Sequence, residues 1–229
     1  MPKGKEFRFV SHNDPLMSEA AVARIECAGD PLYPVGIVLV RDGVVLARAG
    51  NGFNKGGGTT HICPRVVLGC PSGQGYDLCT LHDSPGHAET MLMNIAREQG
   101  LDTVGCDVYM FGHWWCCEPC WKAMLDAGIR DVFVTNDAQT RFSRENVFAE
   151  TLTSSITSVS FQDCEESLLE TLRRSCEEIG CQTQDTGEVS VRRTPKGLDV
   201  WFEDRCVYQI ESEDGDVMAR MLQNVLRQL

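Results

Sequence analysis

Positive charge is scarce in this 229-residue sequence, where 21 Lys and Arg stand against 33 Asp and Glu for a formal net charge of -12. A protein that grips a long nucleic acid backbone needs a basic face, and this chain has cations only for a local one. A single nucleotide in a pocket suits the balance better than a long polymer. No apolar run is long enough to span a membrane. The start of the chain, Met1-Pro2-Lys3-Gly4-Lys5-Glu6-Phe7-Arg8, lacks the apolar core of a secretion signal. The expectation is a cytoplasmic protein with no membrane partner. Repeats and low-complexity tracts are missing too, and 42% hydrophobic residues is enough for a packed core.

Cysteine, by contrast, is plentiful, with 12 residues. Cys116, Cys117 and Cys120 are clustered, which fits reduced thiols that include metal ligands better than a secreted disulfide framework. Cys106, Cys164, Cys176, Cys181 and Cys206 read as buried structural thiols.

Hydrophobic spacing predicts a helix over 16–28 with Ser11 or Asp14 as its cap. A hairpin follows, in which Gly36–Val40 and Val44–Ala49 flank an Asp42-Gly43 turn. From Gly50 to Gly86 the pattern dissolves into Gly, Pro, Cys and His, a long loop that needs a function or a clamp. Helix 88–96, strand 106–111, helix 118–126 and strand 131–135 then alternate, the pattern of parallel neighbours in an α/β sheet. A helix over 144–152 and a strand over 156–161 are expected to complete that layer. Residues 163–229 read as a separate α-β-β-β-α module. It carries 15 acidic and 8 basic residues and no catalytic motif.

Two short motifs carry chemistry. His87-Ala88-Glu89 opens one helix, and Cys117-Glu118-Pro119-Cys120 opens another. Cysteines at i and i+3 in a first turn face the same way, and the positive end of the helix dipole favours their thiolates. One imidazole added to them gives three ligands for a tetrahedral zinc with its fourth position open. Glu89 lies two residues from His87, near that open position without binding the metal. A carboxylate there takes a proton from water and returns one to a leaving group. H-x-E followed by P-C-x-x-C is the signature of zinc deaminases of nucleobases.

On these motifs the sequence resembles the zinc-dependent cytidine and deoxycytidylate deaminase superfamily over roughly residues 15–162. Gly36–Gly43 looks like that family's first strand and turn, and Asn51-Gly52-Phe53 like the end of its second strand. Deoxycytidylate deaminase is the subgroup it is most similar to, since members carry the asparagine-glycine pair and often a Cys/His insertion before the histidine. The resemblance implies an α/β fold, a three-layer sheet with helices on both faces at residues 1–162, beside a small α+β C-terminal module at 163–229. It also implies hydrolytic deamination of a cytosine nucleotide, dCMP to dUMP, in nucleotide metabolism. By the same resemblance zinc is the cofactor, and the assembly is a homo-oligomer. His87, Cys117 and Cys120 are then the zinc ligands and Glu89 the catalytic carboxylate. Asn51, Ala88 and Trp115 are candidate substrate contacts.

The chain departs from the family at several points. Cys116 stands where members carry proline, and His113-Trp114-Trp115 makes the preceding loop about two residues longer. Thr90-Met91-Leu92 replaces the usual x-N-A. The methionine is shared with tRNA adenosine deaminases, against which stand the charge and the long insertion. Other readings are a deaminase of another base, such as a purine or a modified cytosine, or an inactive zinc-binding module. Retention of Glu89 beside three ligands argues against the last.

The insertion holds Cys63, Cys70, Cys79 and His82, with His61, and is a candidate second, structural zinc site to which Cys27 could add a ligand; partly buried thiols are the alternative. Lys55 and Arg65 are candidate phosphate contacts, with solvated loop charges as the alternative. His113, Trp114 and Trp115 offer rings for base stacking or for core packing.

Overall fold

The computed structural model describes residues 6–52, 61–71, 74–79, 81, 84–152 and 154–229. In chain order the elements are β1 (Arg8–Val10), α1 (Pro15–Cys27), β2 (Gly36–Arg41), β3 (Val44–Gly50), α2 (Pro64–Val67), α3 (Ala88–Glu98), β4 (Asp107–Phe111) and α4 (Glu118–Asp126). They continue as β5 (Asp131–Thr135), α5 (Ala138–Arg141), α6 (Arg144–Thr151), β6 (Ser158–Gln162), α7 (Glu166–Glu177), β7 (Gln182–Thr183), β8 (Val189–Thr194), β9 (Gly197–Phe202), β10 (Arg205–Glu211) and α8 (Gly215–Leu226). Two compact units result, Met1–Gly58 with Cys79–Thr151, and Thr59–Leu78 with Leu152–Leu229. Among the described residues no helix is long and apolar enough to cross a membrane.

The first unit is built on a sheet of order β1-β5-β4-β2-β3, with β5 parallel to β1 and β4, and β2 antiparallel to β4 and β3. Side chains of a strand alternate between its faces, and β2 is apolar on both. Ile37 and Leu39 enter one core with Leu92 and Ala96 of α3 and Cys120, Trp121 and Met124 of α4. Val38 and Val40 enter another with Met17, Ala20 and Ala23 of α1. The three layers expected from the sequence are therefore present. The β2–β3 turn has positive φ at Asp42 (51°) and Gly43 (77°), the two-residue geometry an Asp-Gly pair favours. At the start of α1, Asp14 accepts hydrogen bonds from the backbone N–H of Leu16 (2.9 Å) and Met17 (3.1 Å), and Pro15 occupies the first turn.

Glycine sets how closely α1 approaches the sheet. A Cβ on Gly36 would overlap the backbone of Ala20 and Arg24, and one on Gly50 the backbone of Ala28. Gly36→Ala is therefore expected to cost about 3 kcal/mol, lowering Tm by about 6–12 °C. A thermal melt that does not shift would show that the helix moves aside freely.

The second unit holds a mixed sheet of order β10-β9-β8-β6-β7. Its core collects Leu172 and Cys176 of α7, Leu222 and Val225 of α8, and Val159, Val189, Val191 and Val200 of the strands. The expected helix, three strands and closing helix are all found. The strand expected over 156–161 is not where the sequence reading put it. As β6 it joins this second sheet, parallel to β8 through Val159↔Val189. Two physical reasons account for the difference. Ile156 and Val159 complete the second core, and the free edge of β5 is already taken by β1, with Phe9↔Val134 in register. Part of the long insertion also belongs here. Ile62 and Val67 are buried in this core, Asn224 of α8 donates to the Val67 carbonyl (3.2 Å), and Gln228 accepts from the Cys63 N–H (2.7 Å). The loop has found a clamp in α8.

Candidate active site

The site forms where two helices of the first unit begin. His87 is the N-cap of α3, and its carbonyl accepts from the N–H of Met91 (3.0 Å) and the hydroxyl of Thr90 (2.9 Å). Cys117 is the N-cap of α4, and its carbonyl accepts from the N–H of Trp121 (3.0 Å). The segment entering α3 is tied to the end of β3 by the Gly52 N–H, which donates to the Gly86 carbonyl (2.7 Å).

These caps bring three ligand atoms together. Cys117 Sγ and Cys120 Sγ each lie 3.4 Å from His87 Nδ1, and 3.2 Å from one another. Zinc bonds of about 2.0–2.3 Å at tetrahedral angles separate their ligands by about 3.5–3.8 Å, so the two nitrogen–sulfur sides match zinc closely and the sulfur pair opens by about half an ångström to receive it. One nitrogen and two sulfurs are also the donors zinc prefers. The two sulfurs share a hydrogen bond. The Cys120 thiol, donating to Cys117, holds the Cys117 pKa well below its ordinary value, and His87 and the Cys120 backbone N–H act in the same direction against burial. Cys120 is pushed up by the same sharing and by burial.

Glu89, in the first turn of α3, is only 5% exposed. Its charge bears on Cys120, Cys116 and His113, which places the carboxylate among them. Cys116 is buried, and burial first, then Glu89, raise its thiol pKa; it stays outside the ligand triangle. Ala88 is buried between ligand and carboxylate, and Trp115 is 44% exposed on the loop before Cys117.

Asn51 is buried at the end of β3, and its side chain works on the protein itself. Its Oδ1 accepts from the Val35 N–H (2.7 Å), while Nδ2 donates to the Tyr33 carbonyl (2.9 Å) and Asp30 Oδ2 (3.4 Å). Asp30, 1% exposed, in turn accepts from the N–H groups of Leu32 and Tyr33. Neither Asp30 nor Tyr33 was singled out in the sequence. The Asp-Pro pair at Asp30-Pro31 was the available signal, since such pairs start turns.

Of the candidate second metal set, Cys63 and Cys70 belong to the second unit and Cys79 to the first, while His82 lies outside the described residues. Of the candidate phosphate contacts, Lys55 also lies outside them. Arg65 is engaged within the second unit, with Nε donating to the Gln74 carbonyl (2.9 Å) and the guanidinium 4.2 Å over the Tyr76 ring.

Comparison with known proteins gives one family. The family described as the cytidine and deoxycytidylate deaminase zinc-binding region matches residues 11–136, more than half of the chain. No curated protein matches. Among solved structures, dCMP deaminase from the cyanophage S-TIM5 in apo form is 22% identical, with a TM-score of 0.34 over 56% of this chain and 86% of that one. The same enzyme in complex with dCMP and dUMP is 17% identical, with a TM-score of 0.32 over 76% of this chain and 98% of that one. A diaminohydroxyphosphoribosylaminopyrimidine deaminase/5-amino-6-(5-phosphoribosylamino)uracil reductase from Thermotoga maritima is 19% identical, with a TM-score of 0.34 over 64% of this chain and 43% of that one.

Proposed function

This chain belongs to the cytidine and deoxycytidylate deaminase family, and on that premise we propose that it hydrolyses the 4-amino group of a cytosine nucleotide, converting dCMP to dUMP and ammonia. The observation that carries the reading is the triangle of His87, Cys117 and Cys120 with the buried Glu89 two residues after His87 in the first turn of α3. A zinc held by His87 Nδ1 and the two sulfurs supplies the Lewis acid that makes water a nucleophile at neutral pH. The protein's own part is proton transfer. Glu89 takes a proton from the attacking water, delivers it to N3 of the ring as the C4–O bond forms, and then carries the second proton to the departing amine. Atoms balance, because one water enters and one ammonia leaves. His87 and Cys117 stand at helix N-termini, whose positive ends favour the cysteine thiolates as ligands.

A nucleotide suits the net charge of -12 better than a long nucleic acid does. A cytoplasmic homo-oligomer and a second, structural zinc in the insertion carrying Cys63, Cys70, Cys79 and His82 complete the proposal. One feature favours a second reading. The lengthened His113-Trp114-Trp115 loop lies against the site, and a reshaped wall would suit another base.

An ammonia-release panel decides between them. With zinc-loaded protein, dCMP is expected to exceed deoxycytidine and cytosine in kcat/KM by at least about tenfold. Turnover of a purine or of free cytosine with dCMP inert would overturn the substrate assignment.

A further inference from the structure

The buried carboxylate of Asp30 has no part in the chemistry above, yet hydrogen bonds lead from it to a zinc ligand. Its Oδ1 accepts from the backbone N–H groups of Leu32 (2.9 Å) and Tyr33 (3.2 Å), which fixes the bend at 31–33. The same segment presents two more N–H groups, those of Gly29 and Asp30, to the Asn51 carbonyl at 2.7 and 3.3 Å. That carbonyl and the Gly52 N–H are the two ends of one peptide group, which is planar. Held at its oxygen, the group aims its N–H at the Gly86 carbonyl, 2.7 Å away. The Gly86 carbonyl belongs in turn to the planar peptide that leads into His87, the N-cap of α3. Two rigid plates therefore join the Asp30 bend to the backbone of a ligand. The joint is close: Gly52 has φ 84°, and a Cβ there would stand 2.8 Å from the Asp30 nitrogen. Asp30 itself is 1% exposed. A buried carboxylate is costly unless hydrogen-bonded, and a neutral side chain could close the same bend more cheaply. What the charge adds is stronger bonds to the N–H groups it holds, and so a stiffer bend.

We propose that Asp30 is a positioning residue for His87, setting the backbone orientation from which the imidazole meets Cys117 and Cys120. This rests on the reading of those three residues as zinc ligands. Nδ1 lies only two bonds beyond the His87 Cβ, so a small rotation of the Gly86–His87 peptide carries it away from the two sulfurs. The sulfurs cannot follow, because both belong to the first turn of α4. Groups that orient a metal ligand are part of its affinity for the metal. Asn51 braces the bend from the other side. Its Oδ1 accepts from the Val35 N–H, and its Nδ2 donates to the Tyr33 carbonyl and to Asp30 Oδ2.

The test measures zinc affinity by competition with a chelator, with Cys120→Ser as the blank for this site, and the thiolate-to-metal absorption of the cobalt-substituted protein. Asp30→Ala is expected to hold zinc about tenfold more weakly and to shift the cobalt absorption. Asp30→Asn keeps an oxygen for the Leu32 and Tyr33 N–H groups and should recover most of that loss. Gly52→Ala displaces the same peptide from its other side, should lose as much as Asp30→Ala, and decides the matter where that protein does not fold. Val40→Ala is the control for stability alone. It empties part of the core with Met17, Ala20 and Ala23 at the far end of β2, so Tm should fall while zinc affinity and cobalt absorption stay at the wild-type values. Asp30→Ala and Gly52→Ala proteins that melt earlier but keep wild-type affinity and absorption would overturn the proposal, and so would a Val40→Ala protein that loses zinc equally. Zinc binding needs no substrate, which separates this idea from the function. Asp30-dependent zinc binding without deamination of any cytosine nucleotide sinks only the activity, and dCMP turnover with zinc affinity indifferent to Asp30 and Gly52 sinks only the positioning role. A wild type that takes up no zinc sinks both.

Discussion

Glu89→Gln is expected to fold, take up zinc and deaminate about a thousandfold more slowly than wild type. That factor corresponds to about 4 kcal/mol of transition-state stabilisation. Glutamine keeps the shape of the side chain, which matters because position 89 is buried beside Cys116 and Cys120, and an alanine there would open a cavity as well as remove a base. What glutamine cannot do is accept a proton from water or return one to N3 and to the amine. The loss should therefore fall on kcat, with KM for dCMP little changed, and zinc content should stay at the wild-type value. Ammonia release measured beside zinc analysis checks both halves. Activity within threefold of wild type would remove Glu89 from the mechanism.

Cys120→Ser should be as damaging by a different route. Cys120 is fully buried in the core that α4 shares with the sheet, so serine leaves a hydroxyl where a soft sulfur donor stood. Two remaining ligands hold zinc poorly, since its affinity depends on donor number and softness. The expected result is loss of the zinc held by His87, Cys117 and Cys120, activity at the detection limit, and a lower Tm. Metal bound to the native state at about a thousand times its Kd stabilises by about 4 kcal/mol, or about 8–16 °C in a chain of this size. Chelation of the wild type should reproduce the shift. Cys116→Ser is the control, because Cys116 lies outside the ligand triangle and its substitution should leave the zinc count unchanged. Full zinc content in Cys120→Ser would refute the ligand assignment.

Much of this was legible in the sequence because the determinants are local. An Asp-Gly pair between apolar runs specifies a hairpin, and ligands at i and i+3 of a helix start converge without help from distant residues. Two things were not legible, for one shared reason. A five-residue apolar strand such as Ser158–Gln162 fits either sheet by composition, and its place was decided by β1, more than 140 residues earlier, already capping β5. The protein partners of Asn51, a candidate substrate contact, were hidden likewise. Its occupation by Val35, Tyr33 and Asp30 comes from a loop 16–21 residues upstream that has no periodic signal. The long loop, by contrast, was expected to need a function or a clamp, and Gln228, which accepts from the Cys63 N–H, is part of one.

The single hydrogen bond from Gly52 to Gly86 makes a doorway in the catalytic unit. Gly52 and Gly86 are held together by it, so lengthening the chain between them adds for the metal-holding half chiefly the entropy of closing a longer loop. That entropy grows by only about 0.6 kcal/mol for each doubling of length. His87, the residue after Gly86, is thus anchored by the end of β3 rather than by the segment that precedes it, and so keeps its register with Cys117 and Cys120.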